Sequence, residues 1–504
     1  MALLNSLFTW IMKKRIHQIE LFMKYPHDVQ DEWFQSLIST AEATEWGKKH
    51  DYTSILTPEE YKARVPIQDY DDVKVYIDRM IKGEQNILWP SDIKWFAKSS
   101  GTTSDRSKFI PVSMEALEDC HYQGGKDMLS IYCHNKPDNK VFMGKSVVIG
   151  GSSQINNFSP DSYYGDLSSI LIRNLPFWAE FKRTPNLEVT LNPNFEEKIE
   201  QIAQITIKED VTSLAGVPTW NIVMAKRILE ITGKDNLLEV WPNLELYTHG
   251  GVSFKPYREQ FKQLIPSDNM YYLENYNASE GYFGLQDQSD SEDLLLMLDY
   301  GIYYEFLPME NAEDENPRTL ALHEVELGKN YALIISTNAG LWRYKIGDTI
   351  KFTNLSPYRF QISGRTKHYI NAFGEELIVD NAEKALAKAC QLTNASIKDY
   401  TAGPVYFNGN KAGAHEWIIE FEHQPTDFKI FSEILDSTLR EINSDYDAKR
   451  YKDMALTFPI IHNAKEDTFY LWMKSRGKLG GQNKVPRLAN NREYVDALLK
   501  VMQA

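Results

Sequence analysis

Apolar positions near the start of the chain recur every three or four residues: Leu3, Leu4, Leu7, Phe8 and Ile11, then Ile16, Ile19 and Phe22. This spacing predicts an amphipathic helix. The stretch is short, has no basic residues ahead of it and runs straight into Lys13-Lys14-Arg15, so it predicts a docking helix rather than a leader peptide or a membrane span. A place on a membrane surface is the lesser reading, because the chain as a whole is acidic. Trp33, Leu37, Ile38 and Ala41 repeat the helical spacing over 31–43, and Thr57-Pro58-Glu59-Glu60 has the form of a helix start. Residues 1–90 therefore predict a mostly helical cap or first layer.

The period then changes. Trp95 and Phe96 on one side, Phe109 and Ile110 on the other, frame a polar run that predicts a hairpin, and Ser113 is positioned to cap a following helix with half of a capping box. Short β-rich runs at 146–149, 211–215 and 244–247 alternate with helical ones at 195–207 and 221–231, which predicts α/β layers around a sheet that is at least partly parallel. Strand-like runs crowd together at 270–273, 294–298, 303–307, 331–336, 349–353 and 359–362. Gly364 and Arg365 punctuate the chain. Beyond them come a helix at 380–390, strands near 405 and at 417–421, a long helix at 428–442 and a strand at 469–473. The expected organisation is a large domain over 1–362 and a small α+β domain over 363–504, with no internal repeat or low-complexity segment.

At 504 residues the chain has room for about three structural units. Its 42% hydrophobic and 25% charged residues are ordinary for a globular protein, and 28 tyrosines and 11 tryptophans predict aromatic-lined clefts. A net charge of -15 excludes the basic footprint of a nucleic-acid or anionic-membrane binder, so any phosphate binding must be local. Three cysteines are too few for a disulfide framework or a cysteine-rich zinc site, which fits a reducing cytoplasm.

Candidate chemistry gathers where the elements end. Ser99-Ser100-Gly101-Thr102-Thr103-Ser104 followed by Lys108 offers hydroxyl donors, a glycine that lets backbone N–H groups converge, and a cation, the ingredients of a phosphate loop; a polar surface hairpin has the same composition. It is not a Walker A loop, and Gly144-Lys145-Ser146 is not one either, because Asn139 stands where the first glycine belongs. The strand at 244–247 leads into Gly250-Gly251, where bare backbone could floor a flat ring, or simply turn. Tyr276-Asn277-Ala278-Ser279-Glu280 combines a ring for stacking, a hydroxyl for a phosphate and a carboxylate for a hard cation, or forms an acidic loop. Asp348, after Gly347, suits two adjacent ribose hydroxyls, with a charged hairpin turn as the alternative. Gly364-Arg365 through Gly374-Glu375-Glu376 has the composition of a hinge. There is no Gly-x-Ser-x-Gly elbow. Neither His323-Glu324 nor His415-Glu416 continues into a zincin motif, and the 11 histidines show no metal spacing.

In order, these stretches resemble those of the adenylate-forming, firefly luciferase-like superfamily, and nearly the whole chain is similar to its GH3 branch of acyl-acid amido synthetases, in a bacterial-type form. Ser99 to Thr103 with Lys108 matches the phosphate loop, Tyr276 to Glu280 matches Tyr-x-x-Ser-Glu, Tyr344 to Asp348 matches Tyr-Arg-x-Gly-Asp, Gly364-Arg365 matches the hinge, and Gln482 to Arg487 resembles the closing Gln-x-Lys-x-Pro-Arg. Asp105 stands where the loop usually has a second glycine, and Lys345 replaces an arginine. The helix after the loop reads His121-Tyr122-Gln123-Gly124-Gly125-Lys126-Asp127 where plant relatives hold the acid with an aromatic and an arginine, so the acid stays open.

The resemblance implies an α/β fold: a large adenylate-forming domain with a β-barrel-like subdomain, and a small mobile C-terminal domain. It implies activation of a carboxylic acid with ATP and Mg²⁺, then transfer to an amino acid or other amine by a cytoplasmic monomer, without nucleic acid or stable membrane insertion. The phosphates would fall to Ser99, Ser100, Gly101, Thr102, Thr103 and Lys108, the adenine to Gly251 and Tyr276, and the α-phosphate region to Ser279. Glu280 would take Mg²⁺, Asp348 the ribose, Arg365 a bridge from the hinge and Lys484 the reacting carboxylate. An acyl-CoA ligase sharing the first half-reaction and a nucleotide sensor without turnover are the rivals.

Overall fold

The computed structural model describes the chain outside residues 1, 100–107, 151–155, 176, 193, 252–253, 255–256, 290, 313, 315–316, 366–368, 376, 408–410, 477–486 and 504. It divides into two compact units: one of Met1–Gly216, Met224–Gly251 and Leu264–Thr366, the other of Val217–Val223, Val252–Gln263 and Lys367–Ala504.

In the first unit a hairpin of β1 (Trp95–Ser99) and β2 (Lys108–Val112) belongs to a small sheet completed by β4 (Asn156–Ser159) and β5 (Ser162–Gly165), in the order β2-β1-β5-β4. The main sheet takes β3 (Lys145–Val148), β6 (Arg183–Thr184), β7 (Val211–Ala215), β8 (Leu246–Gly250), β9 (Tyr271–Ala278), β10 (Gly281–Leu285), β11 (Leu294–Leu296), β12 (Ile302–Pro308), β13 (Asn330–Thr337), β14 (Tyr344–Leu355) and β15 (Tyr358–Arg365). Their order is β12-β13-β14-β15-β11-β10-β9-β8-β7-β3-β6. From β6 to β9 neighbours run parallel, joined by helical crossovers; from β9 to β12 they run antiparallel. The expected mixture of α/β alternation and crowded strands is thus one continuous sheet.

Of the leading helices, Ala2–Lys13, Ile16–Lys24 and Pro26–Ala41, the second and third supply Phe22, Phe34, Leu37 and Ile38 to a core shared with Tyr303, Tyr304 and Phe306 of β12, while Met12 of the first packs in a separate cluster with Tyr132, Phe142, Leu246 and Leu273. Gln30 fixes the third helix on the sheet: its amide donates to the Leu298 and Ile302 carbonyls at 3.0 Å and accepts from the Tyr304 N–H at 2.9 Å. Two complete capping boxes, Thr57 with Glu60 and Asp69 with Asp72, start the helices Pro58–Arg64 and Tyr70–Ile81.

The second unit holds the short hairpin β16 (Tyr369–Ile370) and β17 (Leu377–Ile378), and a three-stranded sheet of β18 (Ser396–Val405), β19 (Ala414–His423) and β20 (Ile460–Ala464). Here one expectation fails. Residues 469–473 form no strand but lie in the helix Thr468–Ser475. Phe469, Trp472 and Met473, spaced three and four apart, pack with Ile418, Val495 and Leu498, while Tyr470 and Leu471 are exposed. An unbroken apolar run hid the helical period. The third strand is the less apolar 460–464, read from the sequence as nothing.

Arg343, which precedes β14, is buried at a positive φ of 45°. Its guanidinium is bonded to the buried Glu305 of β12 at 2.9 Å, to the Thr319 hydroxyl at 2.9 Å, and to the carbonyls of Lys62 at 3.0 Å and Val65 at 2.6 Å. Every N–H of the fork on which these contacts fall meets an acceptor, the condition for a buried ion pair to hold. Glu305→Ala leaves that cation buried and unpaired and should cost about 3–5 kcal/mol of stability, read from the urea unfolding of the first unit. A loss under about 1 kcal/mol would show that the pair does not carry this corner of the fold.

Candidate active site

The hairpin expected to hold phosphate has its root in described residues. Ser99 and Lys108 are cross-strand partners closing β1 on β2; the Ser99 side chain and Ser100, Gly101, Thr102 and Thr103 lie outside the described residues. Lys108 is 5% exposed, with its ammonium 5.7 Å from the centre of the Tyr70 ring, and the Tyr70 hydroxyl accepts from the Phe109 N–H at 2.9 Å. Tyr70 is in turn held beside β14, because the Gln68 N–H donates to the Arg343 carbonyl at 2.9 Å and the Lys345 N–H to the Gln68 carbonyl at 2.8 Å.

β9 runs further than its apolar residues suggest, so Tyr276 lies on the strand and Ser279-Glu280 form the two-residue turn into β10, with Ala278 opposite Gly281. The Tyr276 hydroxyl donates to Asp348 at 2.5 Å, and both residues are buried to 7% exposure. Two ring contacts steady that tyrosine, Phe283 at 4.9 Å and Phe360 at 6.2 Å between centres. Asp348 owes its place to a bulge rather than to a hairpin turn. Lys345 stands opposite Ile334 and Thr349 opposite Ala332, so Ile346, Gly347 and Asp348 together face Leu333 alone. Gly347, at a φ of 103°, permits the extra residues, and such a bulge re-aims the side chain it carries. On the other side of β14, Asp348 is the cross-strand partner of Arg365, whose side chain lies outside the described residues.

Burial, and then the negative charge of Glu280, push the Tyr344 phenol well above its usual range, with Tyr70, Asp69 and Asp71 adding to it. Glu280, Tyr344, Tyr70 and Lys108 therefore make one neighbourhood at the root of the hairpin, and Tyr276 and Asp348 a second along the same strands. Gly250 lies opposite Asn275, the residue before Tyr276, so close that a Cβ there would be 2.5 Å from the Asn275 carbonyl; Gly251 follows at a φ of 81°.

The helix after the hairpin starts as expected on Ser113, whose hydroxyl accepts from the Ala116 N–H at 2.9 Å, but residues Ala116–Tyr122 are wound as a π-helix. The wider turn sets His121 against the motif: its Nδ1 is 3.0 Å from Asn277 Oδ1. Beside it the Tyr282 N–H donates to Cys120 at 3.1 Å, and a Cβ on Gly124 would strike the Tyr282 ring at 2.6 Å. Burial lowers the His121 pKa to about 4, against a smaller raising effect of Asn277. The sequence pattern gives His121 and Asn277 no individual roles, because a π-bulge has no periodic signal to find them by.

In the second unit, residues 371–375 turn between β16 and β17 around a buried carboxylate. Glu375 accepts from the Phe373 N–H at 2.7 Å and meets His415 Nε2 at 2.8 Å, and Gly374 has a φ of 86°. Lys449, another residue unmarked by the sequence pattern, lies with its ammonium 4.0 Å from the Trp220 ring centre, and burial brings its pKa down to about 7. Lys484 lies outside the described residues. No helix among the described residues is long and apolar enough to cross a membrane, and no group of three or more metal-ligating side chains occurs among them.

A mixed α/β unit followed by a second α+β unit is an architecture this chain shares with adenylate-forming ligases. Family models match most of the chain: the GH3 family N-terminal domain over residues 15–270, its central domain over 295–365 and its C-terminal domain over 380–493. The chain belongs to the GH3 family and is an ATP-dependent, acyl-adenylate-forming ligase of the acyl-acid amido synthetase type. It is 23% identical to an indole-3-acetic acid-amido synthetase, GH3.4, of Arabidopsis thaliana, over 94% of this chain and 91% of that protein. A jasmonoyl–L-amino acid synthetase of Nicotiana attenuata, JAR4, is 25% identical over 67% of this chain and 68% of its own length. Among solved structures, the GH3.15 acyl acid amido synthetase in complex with 2,4-DB superposes with a TM-score of 0.63 at 17% identity, covering 97% of this chain and 96% of that one. A 2-hydroxyisobutyryl-CoA ligase shares the fold at a TM-score of 0.59 and 12% identity, over 95% and 92%.

Because the folded state holds His121 neutral from its ordinary 6.5 down to about 4, the unfolded chain takes up its proton first as pH falls, and stability is lost across that window. His121→Gln should flatten the acid limb of the unfolding profile by on the order of 3 kcal/mol between these limits. An unchanged limb would mean that His121 titrates normally.

Proposed function

We propose that the two neighbourhoods on β9 and β14 bind MgATP and that the enzyme joins a small carboxylic acid to an amino acid through an acyl-adenylate. The observation that carries this reading is the hydrogen bond from Tyr276 to Asp348, with Glu280, Tyr344, Tyr70 and Lys108 grouped beside the phosphate hairpin. Asp348 then takes the ribose hydroxyls, Gly251 and Tyr276 the adenine, Ser279 the α-phosphate region, and Ser99, Ser100, Gly101, Thr102, Thr103 and Lys108 the outer phosphates. Glu280 would hold Mg²⁺, which fits a site of few protein carboxylates, since this ion draws its other ligands from water and substrate phosphates and neutralises their charge. Lys484 and Arg365 act on the reacting carboxylate and the nucleotide from the small domain and the hinge.

In the first half-reaction an acid oxygen attacks the α-phosphorus and pyrophosphate leaves; in the second an amine attacks the acyl carbonyl and AMP leaves. Between them the small domain, taken as 363–504, turns about Gly364-Arg365 against 1–362. The boundary between the first unit's Thr366 and the second unit's Lys367, just past the end of β15 at Arg365, supports a hinge in this stretch. The three cysteines and acidic composition suit a cytoplasmic monomer working on small molecules.

Acid-dependent ATP–pyrophosphate exchange over a panel of arylacetic, benzoic, jasmonic and short hydroxy acids, followed by product analysis with amino acids or coenzyme A, tests the reading. Exchange with at least one acid and amide formation are expected; thioester formation instead would make it an acyl-CoA ligase, and no exchange would leave a nucleotide-binding sensor. Glu280→Gln should lower exchange about 100-fold or more while the fold is kept, because it removes an anionic ligand at constant shape. Asp348→Ala should raise the KM for ATP by about ten- to a hundredfold with a smaller effect on kcat. Normal exchange in the first variant or an unchanged KM in the second would move the metal or the ribose elsewhere.

A further inference from the structure

Within the first unit, the helix Ala2–Lys13, the start of the helix Ile16–Lys24 and the helix Gln123–Asn135 border a cavity of about 510 Å³. Cavities of roughly 300–1,000 Å³ are the size that takes small organic ligands. One wall is apolar: Phe8, Ile11 and Met12, three and four residues apart, share a face of the first helix. That wall is firm, because the Phe8 ring lies against Phe142 with 5.4 Å between centres and Met12 belongs to the buried cluster of Tyr132 and Leu246.

The charged part of the lining is basic throughout, Lys14, Arg15 and Lys126, on a chain whose net charge is -15. Arg15 is built in. Its Nε and Nη2 donate to Asp127 at 2.9 and 3.0 Å, Nη2 also donates to Asp299, and Nη1 donates to the Gln18 side chain, which leaves the second Nη1 hydrogen uncommitted among the described residues. Asp127 is held in turn by the Tyr300 hydroxyl at 2.9 Å and the Gln123 amide at 2.7 Å, and neither it nor Asp299 is part of the lining. Lys126 forms no side-chain hydrogen bond or ion pair among the described residues, although its charge acts on Asp119. Lys14 rests its ammonium 3.7 Å from the Trp10 ring centre. Gln123, Lys126 and Ser130 turn to this cavity from the same helix whose Gly124 packs on the Tyr282 ring, so the helix presents different residues to the cavity and to β10.

We propose that this cavity is a second ligand site, for an amphipathic monocarboxylate, separate from the neighbourhoods on β9 and β14. The carboxylate takes the spare Nη1 hydrogen of Arg15 and the Lys126 ammonium, and the apolar body lies on Phe8, Ile11 and Met12. A single negative charge suits the site, because Asp127 and Asp299 already offset part of the positive field of Arg15.

Decanoate titrated calorimetrically into the full chain, without nucleotide, is expected to bind at one site. Each methylene added between hexanoate and decanoate should tighten the Kd by up to about fourfold as its surface leaves water. Decanol, with the same body and no charge, should bind about tenfold or more weakly than decanoate. Lys126→Ala and Ile11→Asp should each weaken decanoate about tenfold or more while the melting temperature, and the KM of the most active panel acid in ATP–pyrophosphate exchange, stay unchanged; Ile11 is 46% exposed and its side chain is not needed by the core. The binding measurements need no turnover and stand whichever acid the enzyme activates. Absence of decanoate binding, equal affinity for decanol, or binding unchanged in both variants would overturn the site. A parallel rise of that KM in both variants would make the cavity part of the substrate site and overturn its separateness.

Discussion

A buried guanidinium governs the geometry of the first unit. Arg343 joins three separated parts of the chain, the 62–65 segment, β12 through Glu305, and Thr319, at the residue from which β14 departs. A charge buried this deeply is tolerated only when its donors are satisfied, so these parts cannot drift independently. The backbone on either side of Tyr344, the Arg343 carbonyl and the Lys345 N–H, is bonded to Gln68, which brings Tyr70 to the root of the β1–β2 hairpin. The positions of Tyr344 and Asp348 follow from the same departure point.

From there the candidate site is made by departures from regular structure. A bulge in β14 presents Asp348 to Tyr276, a two-residue turn sets Glu280 at the end of β9, and a π-helical stretch turns His121 onto Asn277. Each interrupts a ladder or a helical repeat, and each is affordable because the surrounding eleven-stranded sheet and its aromatic core are regular. Rigid strands carrying irregular points is an arrangement suited to electrostatic catalysis, where charged groups must be held rather than found.

The second unit follows the same logic at smaller scale. Glu375 is buried beneath the turn at 371–375 to hold its own backbone and His415, and Asn490 ties that turn to the segment 487–492, which is bonded along β18. The turn at 371–375 and the segment 487–492 thus share one framework of hydrogen bonds.

Much was legible in the sequence because it depends on neighbours along the chain. Helical spacing marked the leading helices, capping boxes their starts, and β-branched and aromatic runs most strands of the main sheet. The motif stretches stood out by composition: Tyr276, Glu280 and Asp348 were singled out from their own few residues. Residues 469–473 were misread because a run of adjacent apolar side chains fits either period, and only packing against Ile418 and Leu498 selects the helix. Nor could local pattern show that Tyr276 touches Asp348, 72 residues away, or that Arg343 is the most deeply committed charge of a stretch that looks like an exposed turn. Such contacts are set by strand register and bulges, where a shift of one residue reverses every side chain, and register is decided only when the whole sheet closes on its core.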